Sequence, residues 1–121
     1  MYRYLIIFVI TLCYSTQCLA VMLDQPAKAV ELPPPSYPDA EKREGRGGLA
    51  TVVIRVDENG SSSIERVMGS LYPFTAAAKS AAKNWKFTPA IRDRKPASFL
   101  LEFIVVFDPK KGVEILGPLF P

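Results

Sequence analysis

The sequence predicts an α+β domain: a short antiparallel sheet of about three strands with two helices packed on one face. Three observations predict it. Leu49 to Asp57 and Ser98 to Asp108 alternate side chains with the period of two that a half-buried strand shows. Between them, Phe74, Ala77, Ala78, Ala81, Ala82 and Trp85 recur with the spacing of one helical face. Asp57-Glu58-Asn59-Gly60 supplies a turn, and Asn-Gly is the strongest short hairpin signal. Elements in the order helix, strand, strand, helix, strand fit a sheet with helices on one face. No internal repeat is present.

The first twenty residues are a separate object. Met1-Tyr2-Arg3-Tyr4 carries one cation, Leu5 to Tyr14 is mostly apolar, and Ser15 to Ala20 ends in Cys18-Leu19-Ala20. This is the pattern of a secretory signal with cleavage after Ala20. The alternative is a retained anchor, since Tyr4 to Leu23 reaches the ~20 residues a spanning helix needs. Ser15, Thr16 and Gln17 weaken that span. Residues 21–36 read as a linker, with Pro26 and the stiff triplet Pro33-Pro34-Pro35.

Tyr37 to Glu44 is a short helix, with Pro38 suited to the first helical position. Gly45, Gly47 and Gly48 stop it, because glycine readily adopts the conformation that closes helices. Leu49 to Asp57 is the first strand, with Ala50, Val52, Ile54 and Val56 on its apolar face. Ser61 to Gly69 returns from the turn at Gly60 as a less regular strand. Pro73 to Asn84 is the main helix, ended before Pro89, which also pushes its predecessor into an extended conformation. Ile91 to Ala97 is a charged loop. Ser98 to Asp108 is the last and most apolar strand. Residues 109–121 form a tail in which Val113, Ile115 and Leu116 suit a short extra strand, and Leu119 and Phe120 suit packing back on the domain.

Composition removes several function classes. The 121 residues carry a net charge of +3, which falls to +2 when Arg3 leaves with the signal. A nucleic-acid binder shows a dense basic stripe instead. The chain has no histidine, hence neither the commonest metal ligand nor the commonest general base at neutral pH. Both cysteines, Cys13 and Cys18, lie in the signal, so a cleaved chain has no disulfide framework. Ser61-Ser62-Ser63 has no base to activate it, and Asp57 and Glu58 are turn residues. No catalytic residue, metal site or cofactor is expected.

Taken in order, several pieces resemble the C-terminal domain of TonB, the energy transducer of Gram-negative envelopes. They are Tyr37-Pro38 opening a short helix, Gly48 before Val52-Val53-Ile54-Arg55-Val56-Asp57, and Asn59-Gly60 at the hairpin. An alanine-rich helix then runs into Trp85-Lys86-Phe87-Thr88-Pro89-Ala90, followed by an apolar strand. The resemblance covers about residues 35–107 and sets a domain at residues 37–108. Two features depart from the family. TonB proteins have a long proline-rich spacer, whereas the sixteen residues 21–36 span at most about 55 Å. Their membrane helix typically includes a histidine, and none occurs here.

The resemblance therefore implies a free periplasmic TonB-like module that binds an envelope protein or a transporter peptide. In the family the last strand offers an edge to which a transporter segment adds. An edge strand's unpaired N–H and C=O groups give the physical basis. By position this implies Ser98, Leu100, Glu102, Ile104 and Val106 as partner-facing side chains, with Phe99, Leu101, Phe103, Val105 and Phe107 inward. Arg92, Arg94 and Lys95 sit beside this strand and are candidates for steering an acidic partner. Trp85 and Phe87 read as the pin between helix and sheet rather than as a ligand platform. A homodimer made by pairing of the same edges is the structural alternative. Membrane attachment, with energy transduction, is expected only if residues 1–23 are retained.

Overall fold

A computed structural model describes residues 24–120. The expected secretory signal lies outside the described residues. The elements run β1 (Lys28–Glu31), α1 (Asp39–Arg43), β2 (Gly48–Val56), β3 (Ser62–Gly69), α2 (Tyr72–Ala82), β4 (Lys86–Thr88), β5 (Ala90–Arg92), β6 (Lys95–Ala97), β7 (Phe99–Asp108) and β8 (Gly112–Leu119).

The alternating segments build a four-stranded antiparallel sheet in the order β3-β2-β7-β8. β2 and β7 form its centre, paired without interruption from Gly48↔Phe107 to Val56↔Phe99. Their inward residues Ala50, Val52, Ile54, Val56, Leu101, Phe103, Val105 and Phe107 are buried. α2 covers this face through Phe74, Ala78 and Ala82, which are also buried. Small side chains on α2 let it approach the sheet closely, and the aromatic side chains fill the margins. Phe74 packs on Phe107 with ring centroids 4.8 Å apart, and Tyr37 stands edge-on to both. The fold class is α+β, but the strands outnumber the expected three. α1 buries no residue, so the covering of the sheet falls to α2.

Two segments differ from the sequence-based expectation, and a third bears it out and extends it. Residues 21–36, read as a linker, contain β1, which pairs with β4 through Lys28↔Thr88 and Ala29↔Phe87. Gln25 exchanges two 2.8 Å backbone hydrogen bonds with Ile91, and Ala27 is buried. The Trp85 Nε1–H donates to the Pro33 carbonyl at 2.9 Å. This segment straps the helix exit to the domain. Residues 91–97, read as a loop, are the tip of a hairpin of β5 and β6 turned by Asp93 and Arg94, with φ of 52° and 67°. The tail after Asp108, in which Val113, Ile115 and Leu116 suit a short extra strand, supplies the longer β8, which pairs with β7 from Asp108↔Gly112 to Glu102↔Leu119. Phe120 then stands edge-on to Phe99 at 5.7 Å.

Candidate functional site

Strand addition needs backbone groups that no neighbour has satisfied, so the site is sought at the sheet edges. The expected edge is not one. β7 lies between β2 and β8, and between Glu102 and Phe107 it is flanked by both. The sheet is closed on this side by residues that follow the three-residue turn Pro109–Lys111, so β8 folds straight back onto β7. Leu100, Glu102, Ile104 and Val106 are half-buried on the face opposite α2. Ser98 precedes the strand, is exposed, and accepts a hydrogen bond from Arg55 Nη1 at 3.3 Å.

The outer strands are β3 and β8, each paired on one side only within this sheet. β3 has eight residues with only Ile64 and Val67 half-buried, and its register against β2 shifts at Glu65. A groove of about 440 Å³ lies along it, between β3 and α2. β8 is broken by Pro118, which has no N–H to offer, and its register shifts opposite Glu102–Ile104.

The face opposite α2 is uncovered and largely apolar. Register puts Met68, Thr51, Ile104 and Leu116 in one row across it, and Arg66, Val53, Glu102 and Leu119 in the next. Leu49, Met68, Leu116 and Leu119 are each between 42 and 50 % exposed. That level exceeds what isolated surface apolar residues need explaining for, because they are contiguous.

Arg92, Arg94 and Lys95 are brought together at the β5–β6 hairpin. All are exposed, and none makes an ion pair among the described residues. The remaining sequence-predicted residues are framework. Tyr37 donates its hydroxyl proton to the Arg46 carbonyl. Pro38 occupies the cap position of α1, one residue ahead of the expected first helical position, and its carbonyl accepts from Lys42 N–H at 2.9 Å. Gly45, with φ of 70°, follows α1, while Gly48 begins β2. Gly60 takes φ of 85° at the hairpin, where Asp57 Oδ1 accepts from the N–H of Asn59 and Ser61, both at 2.9 Å. Pro89 joins β4 to β5. Trp85 and Phe87 are 3 and 7 % exposed, with ring centroids 5.2 and 5.9 Å from that of Phe103.

Two titratable groups are displaced. Burial pushes the Tyr37 hydroxyl up, aided by the nearby Asp108 and Glu41 charges. The backbone N–H groups of Lys110 and Lys111, at 2.8 and 3.2 Å, hold the Asp108 carboxyl below the usual range. Both are explained by local framework contacts rather than by a reactive pocket. Among the described residues no cluster of three or more His, Cys, Asp or Glu could hold a metal ion, and no helix is long and apolar enough to cross a membrane.

The model of a family described as Gram-negative bacterial TonB protein C-terminal matches residues 33–109. No curated protein matches the chain.

Proposed function

The chain belongs to the TonB C-terminal family, and on that premise we propose that it is a periplasmic binding module, not an enzyme, that captures an extended segment of an envelope or outer-membrane transport protein by strand addition. The family is one of envelope, transport-associated proteins of Gram-negative bacteria. The observation that carries the finer reading is the sheet β3-β2-β7-β8, whose outer strands retain a free side. An added strand satisfies those backbone groups, and flanking side chains select its sequence. Titrating N-terminal peptides of outer-membrane transporters into the isotopically labelled protein tests this. Slowed amide exchange in residues 62–69 or 112–119 is the expected result. Unchanged exchange in both strands with every peptide removes the proposal.

A second reading, self-association, is favoured by the uncovered apolar face. A second copy applied there would bury Leu49, Met68, Leu116 and Leu119. Sedimentation at several concentrations decides it, and a strictly monomeric protein rules it out.

Energy transduction from a membrane anchor is disfavoured by reach. The strap begins by Asp24, directly after the residues 1–23 that an anchor would retain, so no spacer is left between the two. Mass spectrometry of the protein from cells separates these cases, since a mature N-terminus at Val21 excludes the anchor.

A further inference from the structure

The two free edges are not chemically equivalent. Resting on the strand-addition reading, we propose that the β3 edge is the docking edge and that its occupant is an acidic extended segment, laid in the groove between β3 and α2. The groove is lined from the strand side by Ile64 and Val67 and from the helix side by Tyr72, Thr75, Lys79 and Lys83. Lys79 and Lys83 are exposed, and neither makes an ion pair among the described residues. Glu65, the acidic residue of the lining, is already neutralised by Arg55, with Nε 2.5 Å from Oε1. The groove therefore presents uncompensated positive charge beside unpaired backbone.

The spacing of that charge suits a strand. Lys79 and Lys83 are four residues apart on one face of α2, about 6 Å along the axis. Side chains on one side of an extended peptide recur every ~6.6 Å. Alternate carboxylates of a strand paired to β3 would thus meet the two lysines in turn. Lysines near a helix C-terminus also complement the helix dipole. The β8 edge lacks these features: its exposed charged side chain is Glu114, which repels an acidic strand, and Pro118 interrupts its donors.

The test uses the whole protein and two synthetic octapeptides, one alternating threonine with glutamate and the other alternating threonine with lysine. The glutamate peptide is expected to slow amide exchange in Ser62–Gly69 and to bind more weakly as salt rises. The double substitution Lys79→Ala with Lys83→Ala is expected to weaken it about fivefold, while the free protein still unfolds in one cooperative transition. Equal binding of the lysine peptide, salt-independent binding, or full affinity in the double variant overturns the proposal. Protection of residues 112–119 instead overturns the choice of edge while leaving strand addition standing. No protection by the glutamate peptide overturns the proposal, and transporter peptides then report separately on strand addition.

Discussion

An added methyl group at Gly48 would sit 2.4 and 2.6 Å from two carbons of the Phe74 ring and 2.7 Å from Ser70 Oγ. Phe74 is fully buried between Tyr37 and Phe107, so the ring has nowhere to go. Gly48→Ala should therefore cost about 1–3 kcal/mol by overpacking, read as a lower urea midpoint with an unchanged slope. The sequence marks Gly48 as a helix stop, yet the left-handed residue after α1 is Gly45. The constraint on Gly48 comes from a ring carried by another element, which no local pattern encodes. Arg94 shows the converse. Its φ of 67° is a conformation that glycine adopts without penalty, and its side chain is exposed. Arg94→Gly should raise stability by roughly 0.5–1 kcal/mol, seen as a higher thermal midpoint. Asp93-Arg94 carries no glycine to announce a turn, which is why the β5–β6 hairpin reads as a loop. Trp85 was legible by contrast, because helical spacing alone puts it on the buried stripe.

At the scale of elements, long periodic segments were readable and short ones were not. β2, β7 and α2 each repeat an apolar spacing often enough to declare themselves. β1 has four residues, of which only Ala29 is half-buried, and β4 has three. Such strands are held by pairing with each other, so their signal lies in two distant segments at once. β8 has the alternation Val113, Ile115 but loses it at Gly117-Pro118. The sequence offers this strand without its partner, and its pairing displaces the candidate site by converting β7 from an edge into an interior strand. The β7–β8 turn is held by Asp108, whose Oδ1 accepts the N–H of Lys110 and Lys111. Its folded pKa lies below the unfolded one, so the turn's contribution is present above the ordinary aspartate range, about 4, and fades as pH falls through the lower folded value. Acidification below that range should speed amide exchange in residues 112–119 more than in residues 48–56. Asp108→Asn should show faster exchange there already at neutral pH and lose the acid step.

At the scale of the whole molecule, residues 24–32 decide what the domain is. The family match begins at residue 33, and a proline-containing stretch ahead of it reads as spacer. In the structure that stretch closes the exit of α2. β1 pairs with β4, Gln25 bonds to Ile91, Ala27 enters the core, and Asp24 Oδ1 accepts from Asp93 N–H at 3.0 Å. Proline-rich sequence gives stiffness, and stiffness serves a strap as well as a spacer; composition cannot distinguish the two. A chain starting at residue 33 keeps the family-matched region but loses these contacts and uncovers Phe87, the partner of Ala29 across the pair. It should be less stable than a chain starting at Val21 by about 1–3 kcal/mol, the range of one lost buried group with its hydrogen bonds. For a domain of this size the thermal midpoint should drop by about 4–8 °C per kcal/mol. Equal midpoints would show that residues 24–32 add nothing to the stability of the domain and are a tether after all.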